Sequence, residues 1–401
     1  ALEEEVLDEA TGNKTHLALL KVVALSWPSE GAFGHKVAGA LSAADAPFSW
    51  SRANRKAFRI LYDIERETQE TPSEEVLLAL GHRYWHGIGT RRDCPAALSC
   101  YAAVGETVAR YMEEMDGREV KLDLGLMRIS LSEMDGVLGE DAPEDAEALE
   151  FDRLNAQAGD IWAQKELGWR SLVGKGVDED HGEAQANLEA AAAVGDVDAQ
   201  HNLGYMYMNG LGVEHNYTKA KAYFEKAAEG NVTAAFNALG FMYSRGMGVP
   251  RNVSEGERYL KIAAQHDDAD AAFNLAALYQ ELDKNTTRAF PLLEQASETG
   301  NWRAHLAVAQ AYEHGIDRPR NCTAALVALK KLTDTFGGVA RELRDGVDLY
   351  KMGKHDEARK IFCDLAEQGV EVAQSNCAWL HLKGRGVDPP VNQSLRLLAV
   401  R

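Results

Sequence analysis

An all-α architecture, an α-solenoid of stacked helix pairs, is predicted by three features of this sequence. An apolar helical segment returns every 36 residues through the middle of the chain, a glycine turn keeps the same period, and 401 residues exceed one ordinary compact core. The copies read Ala163-Gln-Lys-Glu-Leu167-Gly168, Ala199-Gln-His-Asn-Leu203-Gly204, Ala235-Phe-Asn-Ala-Leu239-Gly240 and Ala271-Ala-Phe-Asn-Leu275-Ala276.

Taken in order, residues 1–75 read as degenerate N-terminal helical repeats, with helical periodicity over 14–26 and 53–66. A first clear repeat occupies 76–119, its motif running from Val76 to Gly105. Residues 120–143 break the pattern with alternating Val120-Lys-Leu-Asp-Leu124 and an acidic Gly/Asp/Pro segment, read as an insertion or loop. The central repeats fill 144–338, beginning with a second helix at Glu144 to Ala158. C-terminal repeats fill 339–401, and Arg401 falls partway through what reads as a repeat.

Within a repeat each motif has a mechanical reason. Ala199, Leu203 and Tyr207 lie four apart and form one apolar stripe. Gly204 offers no side chain, so the partner helix can approach closely; a glycine costs a helix interior about 1 kcal/mol, and its return at 168, 204 and 240 argues for that packing. The turns Gly174-Lys-Gly176-Val177, Gly210-Leu-Gly212-Val213, Gly246-Met-Gly248-Val249 and Gly384-Arg-Gly386-Val387 supply positive φ where the first helix ends, and Gly195 or Gly230 ends the second. One hairpin cannot bury its own apolar face, so neighbours must stack.

The net charge of −19 repels nucleic acid and anionic membrane surfaces, and no run of about 18 apolar residues exists, so neither nucleic-acid binding nor membrane insertion by this chain is expected. Five cysteines, Cys94, Cys100, Cys322, Cys363 and Cys377, have no metal spacing; they read as small buried helix residues, with Cys94 and Cys100 close enough in sequence to pair locally. The acceptor pattern N-x-[ST] occurs at Asn13, Asn216, Asn231, Asn252, Asn285, Asn321 and Asn392. Chance predicts about one such match, so the pattern points to N-glycosylation in the secretory pathway; clustering of Asn, Ser and Thr in helix-connecting turns is the competing explanation. Five of these sites follow the first helix of a repeat, which sets glycans along one edge and leaves the other surfaces to partners.

The Leu-Gly-x-x-Tyr helix, Gly-x-Gly-Val turn and Lys-Ala-Ala-x-Gly helix end together resemble the Sel-one-like repeat, a relative of the tetratricopeptide repeat. That resemblance implies a right-handed superhelix. The stretches Leu80-Gly81-His-Arg83-Tyr84-Trp85-His-Gly87-Ile88-Gly89 and Leu365-Ala366-Glu367-Gln368-Gly369-Val-Glu371-Val372-Ala373-Gln374-Ser375-Asn376 are similar to the lumenal adaptor subunits of Hrd-type ubiquitin ligases in endoplasmic-reticulum-associated degradation. The resemblance runs from about residue 76 to the end. It implies a non-enzymatic scaffold in the lumen of the endoplasmic reticulum that binds the Hrd-type membrane ligase, recruits an OS-nine-type lectin and receives misfolded glycoproteins. The family's membrane anchor is not in this sequence. Animal members dimerise through a Gly-Gly hinge; the corresponding junction here reads Glu298-Thr-Gly300-Asn301, so no dimer is carried over.

The residue after the helix glycine is Trp169, Tyr205 and Phe241, and Trp379 holds the same place after Ala378 in a fourth copy. With Phe273 and Leu306, two after their opening Ala, these are candidate anchors for an extended partner segment; the alternative is that they pack between repeats. No phosphate-binding loop, nucleophile elbow or H-E-x-x-H occurs, so no catalytic, metal or cofactor residue is assigned. Asp267-Asp268-Ala-Asp270 precedes a repeat's first helix and reads as a cap, and His35, His201 and His314 read as surface or packing residues. The competing function is a chaperone-like receptor that binds unfolded polypeptides directly.

Overall fold

A computed structural model describes residues 73–114, 146–174, 177–282, 287–316 and 318–383, together with a few helical positions between 55 and 63. The expected insertion at 120–143, most of the N-terminal repeats and the Gly384–Val387 turn lie outside the described residues. The described helices are α1 (Glu74–His86), α2 (Cys94–Glu114), α3 (Ala146–Gln157), α4 (Ile161–Val173), α5 (His181–Ala193), α6 (Val197–Asn209), α7 (Tyr217–Glu229), α8 (Thr233–Arg245), α9 (Val253–Gln265), α10 (Ala269–Leu282), α11 (Ala289–Thr299), α12 (Trp302–His314), α13 (Cys322–Thr335), α14 (Gly338–Lys351), α15 (His355–Glu367) and α16 (Glu371–Lys383). Among the described residues there is no strand. No described helix is long and apolar enough to cross a membrane.

The chain divides into two compact units, one drawn from 1–140 and 309–401, the other Asp141–Val308. The second unit holds the regular array. First helices start at Ile161, Val197, Thr233 and Ala269, and their partners at His181, Tyr217, Val253 and Ala289, both series in steps of 36. The packing cause is the one the sequence suggests. Ala199 and Leu203 are fully buried and Tyr207 is 8% exposed. A Cβ at Gly204 would lie 2.7 Å from the Phe224 ring, one at Gly168 2.8 Å from Leu188, and one at Gly240 2.7 Å from Leu260. The first helices α4, α6 and α8 therefore meet their partners at a point where any side chain would collide, whereas α10 carries Ala276 there.

The turn glycines also take their expected conformation: Gly210 and Gly212 have φ of 71° and 66°, and Gly246 and Gly248 of 76° and 68°. Gly230 ends the second helix as expected, as the C-cap of α7, with a φ of −84°. Gly230 is required because a side chain there would strike Val197 at the start of α6. Positive φ falls instead on Asn231, and the left-handed position recurs every 36 residues as Gly159 (91°), Gly195 (97°), Asn231 (61°) and Asp267 (59°). Asn and Asp are the residues besides glycine that tolerate this region.

The first unit joins distant stretches of chain. Helix α2 packs on α13, with Gly105 facing Leu329, and Cys94 at the start of α2 is bonded to Cys322 at the start of α13 across a sequence separation of 228. Cys363 of α15 is bonded to Cys377 of α16. The local Cys94–Cys100 pairing is thereby corrected: Cys100 is buried and unbonded to another sulfur. The α2 helix turns Cys100 into the core, whereas Cys94 sits at its end beside the corresponding end of α13.

Candidate functional site: a tyrosine ladder with an open basic pocket

The candidate acceptor asparagines have defined backbone roles. Asn216, Asn252 and Asn321 are the N-caps of α7, α9 and α13, where their Oδ1 atoms accept hydrogen bonds from the backbone N–H of Lys219 (2.9 Å), Glu255 (3.2 Å) and Ala324 (3.1 Å). Asn231 holds the left-handed position described above and is exposed. A cap needs only the asparagine; it does not require Thr218, Ser254 or Thr323 two residues on, which complete the acceptor pattern. A glycan bonded to Nδ2 also leaves Oδ1 free to cap. Asn13, Asn285 and Asn392 lie outside the described residues.

The aromatic candidates Trp169, Tyr205, Phe241, Phe273 and Trp379, with Leu306, are all half-buried. Tyr205 packs against the buried cluster that contains Leu172, Leu188, Leu203 and Met206, so for that ring packing between repeats is the role observed. The more exposed apolar side chains are ones the motif did not single out: Phe151 (64%) on α3 and Trp162 (60%) at the start of α4.

What the repeat does align is a ladder of tyrosines between first and second helices. Tyr207 and Tyr223 stack with ring centroids 5.7 Å apart and planes 6° from parallel; Tyr243 and Tyr259, each 36 residues on, stack at 5.8 Å and 14°. Tyr279 continues the first series. Each rung carries a cation. Lys219 Nζ lies 4.8 Å from the centre of the Tyr207 ring and Lys226 Nζ 5.7 Å from that of Tyr223. The Arg258 guanidinium lies 4.1 Å from Tyr259 and that of Arg288 4.0 Å from Tyr279.

The rungs differ in how their cations are satisfied. Arg258 is ion-paired with Glu255 at 2.8 Å. At Tyr279 the hydroxyl donates to Glu257 Oε1 at 2.8 Å, while Lys261 and Arg288 stand 2.7 Å and 3.7 Å from the same carboxylate oxygen. The Lys261 and Tyr279 hydrogen bonds hold the Glu257 carboxyl below its usual range, although partial burial opposes them. At Tyr207 and Tyr223, by contrast, a shallow cavity of about 180 Å³ opens between α6 and α7, lined by Tyr207, Lys219, Ala222, Tyr223 and Lys226. Burial pushes the Tyr223 phenol up, with Tyr207 and Glu189 adding to the shift, so it stays a hydrogen-bond donor at neutral pH.

In the first unit, buried polar groups gather where α1, α2, α13 and α15 meet. Arg83 is 4% exposed, with Nε and Nη1 making no hydrogen bond. Burial lowers the pKa of its guanidinium, and Glu367 opposes that shift. Lys330 is paired with Asp334 and donates to the Gly369 carbonyl at 2.9 Å. Cys363, Cys377 and His381 are grouped as metal-type donors, but the two sulfurs are bonded to each other and are not thiolates. Asp268 caps α10, accepting from Ala271 N–H at 2.7 Å, as the acidic cluster's position suggests. His201 is half-buried, its pKa lowered first by burial, and packs on Phe224.

The curated proteins that resemble the chain include protein sel-1 homolog 2 of Mus musculus, 30% identical over 113 residues, and of Homo sapiens, 31% identical over 113 residues. Each match covers 27% of this chain and spans only 15% of the relative's length. Among solved structures, a protective antigen of uropathogenic Escherichia coli displaying an SLR fold is 24% identical with a TM-score of 0.40, covering 86% of this chain and 78% of its own. A Sel1 repeat protein from Oxalobacter formigenes is 24% identical with a TM-score of 0.39, covering 54% and 85%. The family model described as Sel1 repeat matches residues 75–103, 163–196, 197–232, 234–268, 269–301, 302–327 and 372–398, more than half of the chain. The chain belongs to the Sel1 repeat family.

Proposed function

We propose that this Sel1 repeat protein is a non-enzymatic scaffold in the lumen of the endoplasmic reticulum. In this reading it binds the Hrd-type membrane ubiquitin ligase, recruits an OS-nine-type lectin and receives misfolded glycoproteins for degradation. The observation that carries the compartment is the coincidence of seven acceptor sites with two disulfides, one of them joining residues 228 apart. Disulfides persist in oxidising compartments, and glycan acceptors are used in the secretory pathway. Partner identity is supported by the Leu80–Gly89 and Leu365–Asn376 stretches, and the repeat array supports a scaffold that gains avidity by holding several proteins together.

The test is affinity purification of the chain from secretory cells with mass spectrometry of what remains bound. Stoichiometric recovery of a membrane ubiquitin ligase and a lectin is the result expected. Recovery of neither, with broad binding of denatured model proteins instead, overturns the scaffold in favour of a chaperone-like receptor.

A further inference from the structure

We infer that the Tyr207–Tyr223 pocket is a docking site for an acidic segment of a partner polypeptide, with carboxylates held by Lys219 and Lys226 and the intervening chain resting on the tyrosine pair. The inference goes beyond the scaffold reading, because it stands whether or not the partner is a ligase subunit.

Three observations carry it. The first is charge. In a chain of net charge −19, the other described lysines of the same unit are ion-paired: Lys165 with Asp198, Lys221 with Glu225 and Lys261 with Glu257. Lys219 and Lys226 instead lie over tyrosine rings, and among the described residues neither has a carboxylate within ion-pair distance. A cation over the face of a ring forms no hydrogen bond to it through a lone pair, so each ammonium keeps N–H groups available to an acceptor.

The second is shape. Lys219, Tyr223 and Lys226 lie at i, i+4 and i+7 on one face of α7, which spaces the two lysine backbones by roughly 10 Å. That suits two acidic side chains of one extended segment rather than a single small anion. A cavity of about 180 Å³ is also smaller than the roughly 300–1,000 Å³ of small-molecule sites and matches one or two side chains.

The third is that the site belongs to one repeat. Thirty-six residues on, Lys219, Ala222 and Lys226 become Glu255, Arg258 and Ile262, and Arg258 is bonded to Glu255. One repeat earlier, the two tyrosines are Ser171 and Asn187, and the lysines are Glu183 and Ala190. The repeat fold alone thus does not require this pair of lysines.

The test is fluorescence anisotropy at physiological salt with a labelled peptide of alternating Glu and Ala and a matched Gln peptide. It uses the full chain carrying Thr218→Ala, which removes the acceptor at Asn216 without touching the cap. The Glu peptide is expected to bind saturably and the Gln peptide not to. Lys219→Ala with Lys226→Ala should weaken binding about tenfold or more. Lys261→Ala, whose ammonium is ion-paired with Glu257, should leave binding unchanged, and circular dichroism melts establish that each variant is folded. Equal binding of the Gln peptide, or of the folded double variant, overturns the inference. So does displacement of the peptide by acetate at comparable concentration, which would make the pocket a small-anion site. Failure here with a ligase still co-purifying rejects the pocket alone; peptide binding without a ligase rejects only the functional reading above.

Discussion

Gly204 is where one absent methyl group decides the approach of two helices. Its virtual Cβ falls 2.7 Å from two atoms of the Phe224 ring, which is itself fully buried and has little room to yield. Gly204→Leu is therefore expected to overpack the α6–α7 hairpin and cost about 1–3 kcal/mol in urea unfolding; an unchanged midpoint would remove the close approach as the reason for this glycine. The role was legible in sequence, because a glycine inside a helix is costly and returns with the period. Gly230 was legible only as a terminator. What it avoids, Val197, lies 33 residues away, and no local rule reports a collision at that distance in sequence. Tyr207 was similarly half-read: its place on the buried stripe is correct, but its stacking on Tyr223 depends on how α7 is rotated against α6, which spacing along one helix does not fix.

At the scale of elements, capping explains why the acceptor sites share the period of the array. Second helices begin at a fixed interval and need an N-cap, which is Asp180 for α5, Asn216 for α7 and Asn252 for α9. The polar cluster among α1, α2, α13 and α15 was not legible at all, since its members come from segments more than 200 residues apart. Its ionisation makes a further expectation. Burial raises the Glu367 carboxyl above the ordinary value of about 4.3, Arg83 opposes this and Asp364 adds to it. A raised folded-state pKa contributes stability that is fully present below the unfolded value and is lost as pH rises through the folded one. Asp334, Asp364, Glu342 and Glu74 in the same unit are shifted in the same direction, so the intact protein sums several such terms. Glu367→Gln should therefore lose less stability than the parent between pH 4 and 7 in urea titrations. Identical losses would mean that Glu367 is no harder to ionise folded than unfolded.

For the whole molecule, the period predicted the regular array of the second unit, and stacked hairpins are what the Sel1 repeat family is built from. The composition of the first unit was hidden. Residues 73–114 pack with 318–383 through α2 and α13, and the only sequence trace of that contact is a pair of cysteines whose partners spacing cannot assign. Closing so long a stretch of chain is worth about 2–5 kcal/mol to the folded state in the entropic account of disulfides. Long-range pairing and oxidising compartment therefore meet in one bond. The most direct measurement is a non-reducing peptide map of the protein purified from the secretory pathway, with thiols blocked at lysis. A Cys94–Cys322 cross-linked peptide, a Cys363–Cys377 cross-link and blocked Cys100 are expected; a Cys94–Cys100 bond would overturn the long-range pairing, and all five cysteines recovered as blocked thiols would overturn both that pairing and the oxidising compartment.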